Sequence, residues 1–135
     1  MSAVVVDSSA LAAIAFSEAT RPWLIEQLWL ASDRLIAAPT VLELGIVLES
    51  RIEDSAGLAA RSIVDAHVRV RPFTAELAER GMDAWRRYGK GRHPAKLNFG
   101  DCCTYALAEQ LRLPILCTGN DFAQTDLPVL RPPDN

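Results

Sequence analysis

Short apolar runs alternate along this chain with longer segments in which apolar residues recur every three or four positions. The run Val4-Val5-Val6 stops at Asp7, the pattern of a strand buried on both faces of a parallel sheet. A helix is predicted over "ALAAIAF", with Ser8 or Ser9 as its cap. In "TRPWLIEQLWLASD", Thr20 is the expected cap and Pro22 lies in the first turn. Trp23, Leu24, Leu28 and Trp29 cover more than one face of that helix, so part of it is expected to meet another helix or another chain.

"RLIAAP" reads as a second strand and "TVLELGIVLESRIE" as the helix after it. "DSAGLAARSIVDAH" is helical again, with Leu58, Ile63 and Val64 as inward candidates, and the alternating "VRVRPF" suits a strand near a sheet edge. A helix from Thr74 to Tyr88 is broken by the loop "GKGRHPAKL". The helix "LNFGDCCTYALAEQL", a fourth strand in "PILCTG" and a short last strand in "PVLRP" complete the chain. This alternation predicts a single α/β domain over residues 1–135. It has three layers, α/β/α, around a central, mainly parallel sheet of four to five strands. In such a sheet, ligands gather beyond the carboxyl ends of the strands, where strand order reverses.

Composition narrows the class. The chain has 135 residues, half of them hydrophobic and 23% charged, an ordinary balance for one folded domain. The apolar stretch at the start lacks a basic leader and is interrupted by Asp7, so a strand feeding a helix is expected in place of a signal peptide. No run is long enough to cross a bilayer, and a cytoplasmic location is the expectation. Cys102, Cys103 and Cys117 have no zinc-type spacing and are expected as buried thiols; His67 and His93 form no metal pair. Net charge is −3, yet Arg86, Arg87, Lys90, Arg92 and Lys96 crowd an acid-free stretch between Asp83 and Asp101. Such a stripe either steers a polyanion or forms a solvated loop that balances charge.

The acids carry the chemistry. Asp7 closes the first strand and Asp121 follows the fourth, so both should reach the ligand-binding edge, where the first turns bearing Glu43 and Asp101 also face. Each has a structural alternative. Thr40 with Glu43, and Asn98 with Asp101, match capping boxes; Asp7 can cap the next helix and Asp121 can form an Asx-turn. Together they change the balance: two unit charges 4 Å apart repel by about 4 kcal/mol at an effective dielectric near 20. Either some of them hold protons or a divalent cation neutralises them, and carboxylate oxygens suit Mg2+ or Mn2+.

Four stretches, "VVVDSSALAAI", the early-helix Glu43, "YGKGRHPAKLNFGDCCTYALA" and "LCTGNDFAQTDL", together resemble a PIN-domain ribonuclease. Within that group the chain resembles the VapC toxins of type II toxin–antitoxin systems, across essentially its whole length. The resemblance implies a PIN-like fold and an acid cluster that binds Mg2+, with Mn2+ as a substitute, and hydrolyses RNA phosphodiesters. The acid of the first strand falls on Asp7, the helical glutamate on Glu43 and the acid of the later helix on Asp101; Asp7 and Asp101 are the implied metal ligands. The fourth acid falls on Asp121, with Asp126 in reserve, because Gly119 and Asn120 stand where relatives carry acids. Arg86, Arg87, Lys90, Arg92 and Lys96 would hold the RNA backbone, and Tyr88 or Trp85 could stack on bases. A VapB-type antitoxin, an RNA substrate and a homodimer are the implied partners, with no membrane. The apolar surplus in "PWLIEQLWLA" and "LELGIVL" would supply a groove or a seam. Two rival readings are a magnesium-dependent phosphatase, which would show an acid at Ser9, and a degenerate domain that binds RNA or a partner without cutting.

Overall fold

Three valines, Val4–Val6, form the innermost strand, β1, and all three are buried. Val4 and Val6 enter one hydrophobic core while Val5 enters a second on the other side. A strand apolar on both faces needs helices above and below it, each buried valine contributing about 1.5–3 kcal/mol. The computed structural model describes residues 2–133. After β1 come α1 (Ser8–Ala15), α2 (Arg21–Leu30), β2 (Arg34–Ala37), α3 (Ala38–Arg51), α4 (Leu58–Asp65) and β3 (Arg69–Arg71). The chain continues through α5 (Ala75–Tyr88), α6 (Phe99–Leu111), β4 (Ile115–Leu116), a single 3-10 turn (Phe122–Gln124) and β5 (Val129–Leu130).

The sheet has the order β3-β2-β1-β4-β5, and every pairing is parallel. Chain direction across the sheet reverses at β1: β2 and β3 are added on one side, β4 and β5 on the other. The crevice therefore opens beyond the carboxyl ends of β1 and β4. Leu11, Leu24, Leu28, Leu44, Leu48 and Ile63 from α1 to α4 fill one core. Leu77 and Ala84 of α5 with Tyr105, Ala106 and Leu107 of α6 fill the other. The predicted α/β/α layering and the edge position of the "VRVRPF" strand agree with this arrangement.

Local details depart from expectation in four places. Asp7, the alternative cap, takes the N-cap of α1 in place of Ser8 or Ser9. Thr20 holds the N-cap position of α2 without a side-chain capping bond, and its buried hydroxyl has no partner among the described residues. α3 begins at Ala38, directly off β2, with Pro39 in its first turn; Thr40 is already inside the helix, so the Thr40–Glu43 capping box does not form. On α4, Ile63 is buried as expected, but Val64 is 71% exposed and Ala59 takes the inward place.

The loop after α5 is closed. Lys90 N–H donates to Leu97 O at 3.0 Å and Leu97 N–H to Tyr88 O at 2.9 Å. Ala95 and Leu97 are fully buried beneath it. Gly89 is required there, since a Cβ would collide with the carbonyl and ring of Trp85. This loop delivers the chain to the start of α6 in one fixed position.

Candidate active site

Asp7 is the first residue beyond β1, and its N–H bonds Leu116 O of β4 at 2.9 Å, which places it in the crevice. Its side chain is only 4% exposed and both oxygens are engaged. Oδ2 accepts the Ser9 N–H at 3.1 Å, capping α1, and Oδ1 accepts the Thr104 hydroxyl at 2.8 Å. Thr104 lies one turn after Asp101 on α6, so the same contact brings Asp101 beside Asp7. Ser9 Oγ accepts the Thr118 N–H at 3.2 Å and ties the segment after β4 to the same edge.

Glu43 reaches the site from the second turn of α3. Its Oε1 accepts the Ser8 hydroxyl at 2.8 Å, and its carboxylate fills the space where a side chain at position 100 would stand. Gly100 is thus required by the approach of Glu43, one residue before Asp101. At the start of α6 the predicted capping box is present. Asp101 N–H donates to Asn98 Oδ1 at 2.9 Å, and Asn98 N–H donates to Asp101 Oδ2 at 3.1 Å. Capping occupies one oxygen of Asp101 and does not exclude a second role. Asp121 is exposed at the start of the 3-10 turn, and its side chain makes no capping bond there, unlike the expected Asx-turn.

Electrostatics join the four. Burial pushes the Asp101 carboxyl up to about 7 against the Asn98 N–H, and repulsion from Asp7, Asp121 and Glu43 adds to the rise. Glu43 is raised in the same way, by burial first and by Asp7, with the Ser8 hydroxyl opposing. None of the ion pairs among the described residues includes any of these four acids. Nor do any three acidic, histidine or cysteine side chains among the described residues close into a ready-made ligand trio. The donor set suits a hydrated hard cation, which needs one or two carboxylates and keeps several waters.

Asp126 lies elsewhere. It accepts the Tyr105 hydroxyl and pairs with Arg87 at 3.2 Å, and the Tyr105 bond, with Arg87, holds its carboxyl below the usual carboxylate range. Arg87 also faces Glu109 at 3.6 Å and donates to Tyr88 Oη at 2.9 Å. The five expected RNA-binding cations therefore differ. Lys90, Arg92 and Lys96 are exposed on the closed loop, Arg86 faces Asp83 at 3.7 Å, and Arg87 is engaged on three sides. The Arg92 guanidinium sits over the Trp85 ring at 4.5 Å. Tyr88 packs against His93 and Tyr105 with Arg87 above it, so both candidate stacking rings already have partners in the protein. All three cysteines are buried, free and pushed up by burial, Cys102 and Cys103 to about 11 and Cys117 to about 12, which disfavours the thiolate.

Thr104 carries no role in the sequence pattern, and Thr40 stands there only as a cap for α3. Thr104 interrupts an otherwise apolar helix face three residues after Asp101, and that spacing was the available signal. Asn120, noted as a replaced acid, accepts a bond from the Arg131 guanidinium.

A model of the PIN domain matches residues 4–127, which include all four acids. This chain belongs to the PIN-domain family. Ribonuclease VapC36 of Mycobacterium tuberculosis is 44% identical to it over 130 residues, covering 92% of this chain and 91% of that protein. The same layout recurs in the crystal structure of Mycobacterium tuberculosis VapC20, a sarcin-ricin loop cleaving toxin. That structure has a TM-score of 0.77 and 22% identity, over 96% of this chain and 99% of that chain. A toxin–antitoxin complex from Klebsiella pneumoniae has a TM-score of 0.70 and 17% identity, over 94% of this chain and 95% of that chain.

Proposed function

We propose that this PIN domain is a divalent-metal-dependent endoribonuclease of the VapC kind, the toxin of a toxin–antitoxin pair. The observation that carries the reading is the meeting of Asp7, Glu43, Asp101 and Asp121 at one sheet edge, with no ion pair to any of them among the described residues. Asp7 and Asp101 would hold the ion, Mg2+ with Mn2+ as substitute, through oxygens that their capping bonds leave in a fixed orientation. When bound, the ion supplies charge stabilisation at a phosphate oxygen and a more acidic water. Glu43 has Oε1 fixed by Ser8 and presents its second oxygen to orient water or the substrate. Asp121, on the exposed rim, adds negative charge that draws a cation inward.

Lys90, Arg92 and Lys96, on the loop leading into α6, with Arg86 from the last turn of α5, place the RNA backbone next to Asp101. Arg87, committed to Asp126 and Glu109, contributes least of the five. Two apolar surfaces suit the protein partners. Leu11, Ile14, Ile25, Leu28 and Trp29 line a groove of about 380 Å³, and Trp29 is 70% exposed there. An apolar helix of the antitoxin fits this groove. Phe73, Met82, Trp85 and Phe99 line a second hollow of about 460 Å³; with the exposed Leu42 and Ile46 of α3 they suit the seam of a homodimer. As a whole the described residues contain no helix long and apolar enough to cross a membrane.

The direct test is incubation of the purified protein with RNA and Mg2+, with and without EDTA. Cleavage is expected with Mg2+ alone and should vanish in EDTA; cleavage that continues unchanged in EDTA contradicts the metal reading. For the groove, Trp29→Glu should weaken inhibition by the antitoxin while leaving cleavage intact, and unchanged inhibition would remove the groove from the proposal.

A further inference from the structure

Two buried threonines stand beneath the acids. Thr40 is on α3, one turn before Glu43, and Thr104 is on α6, one turn after Asp101; their exposures are 0% and 1%. A helical threonine often returns its hydroxyl to a carbonyl of its own helix. Here Thr104 donates to Asp7 Oδ1 at 2.8 Å, and the two hydroxyl oxygens lie 3.2 Å apart across 64 positions of sequence. Each hydroxyl has one proton. The Thr104 proton is committed to Asp7, so the proton between the threonines must come from Thr40. The chain of bonds has one direction, from Thr40 to Thr104 to Asp7.

We propose that Thr104 and Thr40 are positioning residues, a one-way hydroxyl relay that fixes the orientation of the Asp7 carboxylate for its metal ion. The relay rests on the metal-site reading of Asp7 given above. Backbone geometry alone would leave the Asp7 carboxyl plane set only by the Ser9 N–H on Oδ2; the Thr104 hydroxyl on Oδ1 provides the second point that stops rotation. Thr40 in turn fixes the Thr104 rotamer. Because the two threonines come from the helices that carry Glu43 and Asp101, the relay also sets the distance between those helices at the depth of Asp7. Bonds to the outer oxygens and nitrogens of metal ligands commonly control affinity in this way.

The test separates positioning from simple satisfaction of buried polar groups. Mn2+ binding is measured by electron paramagnetic resonance for the wild type, Thr104→Val, Thr104→Ser and the double variant Thr40→Val with Thr104→Val, alongside thermal unfolding. Thr104→Val should bind Mn2+ on the order of 10-fold more weakly, in the range for loss of a partner to a metal ligand. Thr104→Ser, which keeps the hydroxyl, should stay near wild type. The double variant removes both hydroxyls, leaving no stranded Thr40 donor, and should regain part of the lost thermal stability without regaining Mn2+ affinity. Affinity within twofold of wild type in a folded Thr104→Val or double variant overturns the relay, as does a Thr104→Ser as defective as Thr104→Val. A wild-type protein that binds no Mn2+ overturns the metal-site reading itself.

Discussion

Helix α6 runs past two groups of acids, giving Asp101 to one and Glu109 to the other, and the protein treats them in opposite ways. At its first turn, Asp101 meets Asp7, Glu43 and Asp121 with no ion pair among the described residues, and its carboxyl rises to about 7 through burial and mutual repulsion. Two turns further on, past Tyr105 on the same face, Glu109 pairs with Arg80 at 3.2 Å and with Arg87, while Asp126 takes the Tyr105 hydroxyl and Arg87. The Asp126 carboxyl is correspondingly held below its ordinary range. The second group is a finished piece of structure, its charges balanced by cations of the same chain. The first retains a negative charge that no ion pair among the described residues neutralises, and that imbalance is what an external dication would correct.

The largest predicted contrast is in catalysis. Asp7→Asn or Asp101→Asn should lower RNA cleavage by more than about 100-fold, beyond the usual cost of losing a mere neighbour of a metal ligand. Asp126→Asn should leave the cleavage rate within about threefold and lower thermal stability by about 1 kcal/mol, the worth of an ordinary hydrogen bond. Equal damage to cleavage from both substitutions would erase the distinction between the two groups.

Gly100→Ala sharpens the contrast inside the first group. The added methyl displaces the Glu43 carboxylate, a flexible end, so stability should change little while cleavage falls by about tenfold. Initial rates beside a thermal melt measure this, and an unchanged rate would release Glu43 from the chemistry.

A separate contrast lies in the pH dependence of the metal-free protein. The Asp101 carboxyl is raised in the folded state from its ordinary 3.8 to about 7. Its contribution to stability is therefore fully present below pH ~4 and is lost as pH rises through about 7, with a slope of at most about 1.4 kcal/mol per pH unit. Asp101→Asn should flatten that segment of the stability curve, and saturating Mg2+ should do so for the wild type. Denaturant melts between pH 5 and 8 follow the slope; a wild-type curve as flat as that of the variant would contradict the electrostatic picture.

Much of this was legible in the sequence because it is local. Val4–Val6 announce a doubly buried strand, and Asn98 with Asp101 announce a capping box that is present as read. The features that escaped depend on partners far along the chain. Thr40 looked like a cap for α3, but Pro39 starts that helix earlier and the Thr40 hydroxyl faces Thr104 instead. Arg87 looked like one more cation of a basic stripe, yet it is bound to Asp126, 39 positions away. Val64 fitted the helical period of an inward residue, but α4 is short and turns Ala59 and Ile63 inward, so Val64 faces solvent. The shared edge of Asp7 and Asp121 follows from strand order, since the residues after β1 and β4 open onto one edge, whereas Glu43 and Asp101 reach it from helices α3 and α6.

A crystal soaked in Mn2+ and measured for anomalous scattering tests the unbalanced acids most directly. The account predicts a strong peak between the Asp7 and Asp101 carboxylates, and none at the Asp126 and Glu109 group. A fully soaked crystal with no peak at Asp7 and Asp101, or with its only peak at Glu109, would contradict it.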